Sequence, residues 1–163
     1  MKVKEIELYL DIAERVSQLS YCNRAKVGAV LVKGNNILSY GYNGTPPGEL
    51  NICEENGRTK PSVIHAEKNA LIKCKEFGLD PNGSSIFVTI PPCQLCADEL
   101  YNAGVVAVYH RDEHISASNG TPDELWYSLR GIRIYKIERK HNEQRFYHTE
   151  QSSRSEKDCG CGC

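Results

Sequence analysis

The chain is predicted to fold as an α/β protein, a three-layer α/β/α sandwich around a five-stranded mixed sheet. Three observations carry that expectation. The apolar patterning gives elements in the order α-β-β-α-β-α-β-α-β, so strands and helices alternate through most of the chain. The first two strands are separated by Gly34-Asn35-Asn36, a turn signal that predicts an antiparallel hairpin. The later strands, each joined through a helix, should run parallel with right-handed crossovers.

Residues 4–20 place Ile6, Leu8, Ile12, Ala13, Val16 and Leu19 close to helical spacing with charges between them, the pattern of an amphipathic helix. Val27 to Lys33 is a β-branched apolar run, and Ile37 to Tyr42 follows it as a second strand. From Asn43 to Ser62 the composition shifts to Gly, Pro, Asn and charge. A structureless loop of that length is uncommon in a compact domain unless it builds or closes a pocket. His65 to Phe77 reads as a helix ended by Gly78 at C′. Ser85 to Ile90 is a strand stopped by Pro91-Pro92, and the helix from Cys93 to Ala103 ends at Gly104. Val105 to Tyr109 is apolar throughout, as expected of a sheet covered on both faces. Thr121-Pro122-Asp123-Glu124 predicts a capping box, with Thr121 as N-cap, Pro122 at N1 and Glu124 at N3. Gly131 ends that helix and Ile132 to Ile137 forms the last strand. The composition then turns polar, which places the domain at residues 1–140 and a tail at 141–163, disordered from Glu150 onward.

A length of 163 residues suits one domain with a real core. The formal charge of −1 leaves no basic footprint for nucleic acid. No apolar run approaches the roughly 20 residues a bilayer span needs, and the N-terminus lacks a signal-peptide pattern. A soluble cytoplasmic protein that binds neither nucleic acid nor membrane is therefore expected. Eight cysteines could suggest a disulfide scaffold. Disulfides are rare in the cytosol and a chain of this length does not need them. Cys22, Cys53 and Cys74 are expected as small buried apolar residues. Cys159, Cys161 and Cys163 crowd the tail, where the tight spacing favours adventitious metal binding or oxidation over function.

The chemistry concentrates in His65-Ala66-Glu67 and Pro92-Cys93-Gln94-Leu95-Cys96. One imidazole and two thiols fill three of the four positions around a tetrahedral zinc. Structural zinc sites are closed by four protein ligands, whereas catalytic ones keep a position open, so His65, Cys93 and Cys96 point to catalysis. One imidazole and two thiolates leave the complex formally neutral, which acidifies water less than three imidazoles would. More therefore falls to the neighbouring Glu67. The plain alternative is a structural metal site with Glu67 as an ordinary first-turn carboxylate.

The H-x-E and P-C-x-x-C patterns resemble those of the zinc-dependent nucleobase deaminases. Within them, Val27-Gly28-Ala29-Val30-Leu31-Val32, Gly41-Tyr42-Asn43-Gly44-Thr45-Pro46 and His65-Ala66-Glu67-Lys68-Asn69-Ala70 are similar to the deoxycytidylate (dCMP) deaminase family, over about residues 5–137. The resemblance implies a cytidine deaminase-like fold, one catalytic zinc, and hydrolysis of dCMP to dUMP and ammonia that feeds thymidylate synthesis. It implies that Glu67 takes a proton from the attacking water, passes it to N3 of cytosine, and helps deliver a proton to the departing ammonia. Backbone groups around Ala66 and Pro91 would read the pyrimidine edge.

The resemblance assigns Asn43 to the substrate sugar; its plain alternative is a turn residue tolerating αL geometry. Arg24 and Lys26 suit a 5′-phosphate, Arg by bidentate hydrogen bonds, or are solvated surface cations. Tyr109, Arg111 and His114 follow a strand at its carboxyl end, where ligands of open α/β sheets gather. Tyr109 is assigned to substrate, and Tyr42, Gly44, Arg111 and His114 to an allosteric nucleotide; the plain alternative for Tyr109, Arg111 and His114 is a polar surface loop. Family members form homohexamers activated by dCTP and inhibited by dTTP, with a divalent cation such as Mg2+ on the triphosphate. Some relatives hold a second, structural zinc through cysteines near positions 22 and 53, but this chain offers no convincing histidine partner between them and His65.

Among rivals, a tRNA adenosine deaminase would need a basic RNA-facing surface. A riboflavin-pathway deaminase usually carries a reductase domain. A cytidine deaminase would not need Arg24 and Lys26. A non-catalytic zinc module or regulatory subunit would bind zinc without releasing ammonia.

Overall fold

The computed structural model describes residues 1–111 and 120–139. His114 and the tail at 141–163 lie outside the described residues. Five strands form one sheet: β1 (Gly28–Lys33), β2 (Asn36–Tyr42), β5 (Ser85–Val88), β6 (Ala107–His110) and β7 (Arg133–Lys136), in the order β2-β1-β5-β6-β7. β1 runs antiparallel to both β2 and β5, while β5, β6 and β7 are mutually parallel. This is the mixed sheet expected, with its antiparallel hairpin at one edge and crossover units at the other.

Helix α1 (Val3–Ser17) covers one face; α2 (Ala66–Glu76), α3 (Gln94–Asn102) and α4 (Glu124–Leu129) cover the other. Successive residues of β1 are buried because each face has its own core. Ala29 and Leu31 join Ile86, Val88 and Val108 against the three-helix side. Val30 and Val32 join Phe87 against Tyr9, Leu10 and Ala13 of α1. Two glycines let helices approach this closely. A Cβ on Gly28 would stand 2.0 Å from the Ala13 carbonyl oxygen. On Gly41 it would stand 2.2 Å from the Ala66 carbonyl oxygen and 2.4 Å from the Ala70 nitrogen. α2 therefore lies against the backbone of β2, and its first residues are held at the sheet's rim.

The long loop is less bare than its composition predicts. It carries two-residue strands, β3 (Glu54–Glu55) and β4 (Arg58–Thr59), paired antiparallel. Their turn is Asn56-Gly57 with φ of 51° and 74°, the left-handed conformations a two-residue type I′ turn requires. The start of α4 also differs from expectation. Asp123, not Thr121, is the N-cap, and its side chain accepts from the Trp126 amide at 2.8 Å. A charged oxygen satisfies that amide better than a hydroxyl does.

The cysteines need a second correction. Cys22 and Cys53 are not separate thiols but a disulfide, with Cα atoms 5.1 Å apart. The loop returns across the segment before β1, where the Glu54 carboxylate accepts from the Asn23 and Arg24 amides at 2.9 and 3.1 Å. That contact brings Cys53 onto Cys22, and both pack on Val63. Cys74 is a free buried thiol, as expected.

Candidate active site

His65 is the N-cap of α2 and Cys93 the N-cap of α3, each extended at the loop-to-helix junction. Neither side chain caps its own helix. They are thus free to turn toward each other, and the α2–α3 contact brings the two helix starts together. The approach to His65 is fixed by a bridge: the Gly44 amide donates to the Ile64 carbonyl at 3.1 Å, and the Ile64 amide to the Gly44 carbonyl at 2.8 Å.

The His65 Nδ1 lies 3.3 Å from Cys96 Sγ and 3.6 Å from Cys93 Sγ. The three ligand atoms lie within 4.8 Å of one another, the one such group among the described residues. Zinc bonds of about 2.0–2.3 Å at tetrahedral angles place neighbouring ligand atoms about 3.5–3.8 Å apart, so this spacing fits one ion. The proton chemistry agrees. Hydrogen bonding from Cys96, then from His65, pulls the Cys93 thiol down to about 4 despite burial. The Cys96 thiol is pushed far up, because it gives its proton to Cys93 and is buried. His65 is raised, chiefly by its hydrogen bond with Cys93. A single thiolate is tolerated here and a second is not, unless a dication sits between them.

Glu67 is buried beside this cluster, and burial raises its carboxyl to about 7. The hydrogen bond to its own backbone, the charge of His65 and the Cys96 thiol offset part of that rise. Residues two apart within a helix do not share a face. His65 escapes that restriction because, as N-cap, it stands outside the helical backbone.

Ala66 and Pro91 are buried next to the ligands. Asn43 is buried too and is not in the αL conformation. Its Oδ1 accepts from the Val27 amide at 2.8 Å, and its Nδ2 donates to the Ala25 carbonyl at 2.8 Å. Arg24 and Lys26 are exposed, the Arg24 guanidinium reaching the Thr59 hydroxyl at 3.5 Å. The Tyr42 carbonyl accepts from Asn69 Nδ2 at 2.9 Å, and its ring lies 5.1 Å from Lys73 Nζ.

Two expected ligand-binding residues are placed elsewhere. Tyr109 stacks between Phe87 and Tyr135, with centroids 4.7 and 4.9 Å away, on the α1 face of the sheet and not with the cluster. Arg111 is bound to α1: its guanidinium lies 2.6 Å from Glu7, 3.4 Å from Asp11 and 3.3 Å from Glu14. Its charge is met by acidic side chains of α1. Conversely, nothing in the sequence singles out Tyr127 on α4. It is buried in the core cluster that holds Ala66 and Ala97, burial raises its phenol, and in sequence it reads as an ordinary core aromatic.

Residues 3–111 match the family model of the cytidine and deoxycytidylate deaminase zinc-binding region. The chain is 34% identical to ComE operon protein 2 of Bacillus subtilis over 127 residues, 73% of this chain and 64% of that protein's length. It is also 34% identical to the deoxycytidylate deaminase of Mycobacterium phage D29, over 66% of this chain and 94% of the relative. The fold matches the dCMP deaminase of cyanophage S-TIM5, solved in complex with dCMP and dUMP. That match has a TM-score of 0.77 and 40% identity, covering 84% of this chain and 99% of the other. With the ligand triad and the buried glutamate in place on this fold, the chain belongs to the cytidine and deoxycytidylate deaminase family.

Proposed function

We propose that this chain is a zinc-dependent deaminase converting dCMP and water to dUMP and ammonia, a supply of dUMP for thymidylate synthesis. The observation that carries the reading is the convergence of His65, Cys93 and Cys96 beside the buried Glu67. The likeness to a dCMP deaminase bound to substrate and product supports the choice of dCMP. His65, Cys93 and Cys96 would hold the zinc, which would supply Lewis acidity to activate water near neutral pH. The chain's own residues do the rest. Glu67 is buried beside the ligands, where burial raises its carboxyl and suits it to accept and return a proton. It takes one from the attacking water, hands it to pyrimidine N3, and assists protonation of the leaving amine. The first-turn amide of Ala66 lacks a helical partner and can donate to the base. Pro91 offers only an acceptor, its carbonyl.

Asn43 uses two of its four hydrogen-bonding positions on the backbone, leaving capacity for a sugar hydroxyl. Arg24 and Lys26 supply the positive charge for a 5′-phosphate. The regulatory part of the reading, activation by dCTP and inhibition by dTTP with Mg2+ on a homohexamer, rests on the family resemblance. None of the described helices is long and apolar enough to cross a membrane.

Ammonia release from dCMP, dCDP, dCTP and cytidine, each with and without added dCTP, tests the reading. It expects dCMP to be the best substrate and dCTP to sharpen its saturation curve. Equal turnover of cytidine would contradict the phosphate assignment, and hyperbolic curves indifferent to dCTP and dTTP would contradict the regulation.

A further inference from the structure

Asn43 stands where the edge strand β2 leaves the sheet, and the peptides on both sides of its Cα are tied at every polar atom. In the peptide before it, the Asn43 amide donates to the Val27 carbonyl at 3.2 Å. The Tyr42 carbonyl of that planar unit points the other way, off the open edge of the sheet, where strand pairing cannot reach it. Asn69 on α2 meets it there, donating from Nδ2 at 2.9 Å. In the peptide after it, the Gly44 amide donates to the Ile64 carbonyl at 3.1 Å, and the Asn43 carbonyl accepts from the Ser20 hydroxyl at 2.8 Å. Ser20 is 2% exposed, and its oxygen accepts in turn from the Cys22 amide at 3.2 Å, which fixes the direction of its O–H. Water would satisfy both carbonyls as well. Side chains anchored on two other segments also fix where the backbone of Asn43 runs.

We propose that Ser20 and Asn69 are positioning residues for substrate: by holding the peptides on either side of Asn43 they aim its side-chain amide at the nucleotide sugar. The inference rests on the proposed role of Asn43 in binding dCMP. Neither residue touches the substrate; each acts through Asn43, whose Oδ1 and Nδ2 are steadied by the Val27 amide and the Ala25 carbonyl. The Asn69 tie also runs from α2, the helix that begins at His65 and carries Glu67, to the segment that carries Asn43. It thereby sets the spacing between the sugar side of the site and the side that moves protons. Ser39 provides the internal control. Its buried hydroxyl joins the same strand to the same helix, donating to the Ala70 carbonyl at 2.7 Å, but it lies within β2 and not beside Asn43.

The test measures KM and kcat for dCMP, with zinc content, on the full chain. One lost hydrogen bond corresponds to roughly 3–10-fold in binding. Ser20→Ala and Asn69→Ala should each raise KM by about that factor, with kcat and zinc content close to wild type. Ser39→Ala should lower thermal stability and leave KM alone. Asn69→Asp keeps the shape but loses the donor, so it should raise KM at least as far as Asn69→Ala; a side chain that only fills space would be rescued by it. In the Asn43→Ala background, adding Asn69→Ala should raise KM no further, because the tie then has nothing to aim. Wild-type KM in both Ser20→Ala and Asn69→Ala, an equal rise in Ser39→Ala, or a further rise in the double variant would overturn the proposal and leave Asn43 its role. Wild-type KM in Asn43→Ala would instead sink the reading of Asn43 and this inference with it. Should Ser20→Ala fail to fold, Asn69→Ala decides, since alanine is a strong helix former at that position.

Discussion

The two faces of the sheet handle buried polar groups in opposite ways. Against α1, the cation of Arg111 meets the carboxylates of Glu7, Asp11 and Glu14, and Arg139 adds a second cation at Glu14. The neighbouring rings of Phe87, Tyr109 and Tyr135 stack on one another. Against α2 and α3, one of two buried thiols gives up its proton while the other is made to keep it, and burial raises the carboxyl beside them. On the first face the chain supplies both partners of each interaction. On the second, Ser39 and Asn69 are also paired within the chain, but His65, Cys93 and Cys96 form a group suited to an ion. The difference separates scaffold from site without reference to any relative.

The largest expected effect is on the site face. His65→Ala removes one of three ligands, and the protein should lose its zinc and all measurable ammonia release while keeping most of its thermal stability. Metal analysis and calorimetry on one preparation check both halves. Loss of folding with the metal would show that the ion is a staple, erasing the contrast. On the scaffold face, Arg111→Ala removes the cation that Glu7, Asp11 and Glu14 share, leaving Glu14 its second cation at Arg139. Breaking a fully buried pair costs about 3–5 kcal/mol, and partial exposure of these acids brings the expectation to about 2–3 kcal/mol. Denaturant unfolding measures it, and the folded variant should retain the wild-type zinc content.

The next effect belongs to Gly41→Ala, on the site face where β2 meets α2. Its Cβ would strike the backbone of α2, so both stability and the placement of His65 should suffer. A variant that loses stability but keeps zinc affinity would show that α2 shifts as a unit. The smallest lies at Asp80, whose carboxyl is held below its ordinary range by the Asn82 amide and then by Lys33. A depressed carboxyl stabilises the fold above the unfolded pKa of about 3.9 and stops doing so as pH falls through its lower folded value. Asp80→Asn should thus melt slightly lower at neutral pH, with the gap to wild type closing on acidification. A constant gap would assign the effect to something other than charge.

Much of this was legible in sequence because the informative residues are local. Gly78, Gly104 and Pro91-Pro92 punctuate the elements, and His65, Cys93 and Cys96 announce themselves by type and spacing. What was not legible depends on packing between distant segments. Glu7, Asp11 and Glu14 form an acidic stripe on α1, yet only the folded chain shows that Arg111 meets it. The same holds for Tyr109, whose place at a strand's carboxyl end did not reveal which face its ring takes. Cys22 and Cys53 stand 31 residues apart, and their pairing required the path of the loop. The Asn56-Gly57 turn was a readable hairpin signal, masked because its strands are charged and two residues long.

The account stands on three ligands for one ion and a carboxyl that moves protons without binding it. Zinc content and ammonia release from dCMP, measured together on the wild type and Glu67→Gln, test this most directly. General acid–base catalysis contributes roughly 10²–10⁴-fold, so Glu67→Gln should carry one zinc per chain and turn over slower by about that factor. Normal turnover in Glu67→Gln, or an active wild type without stoichiometric zinc, would contradict it.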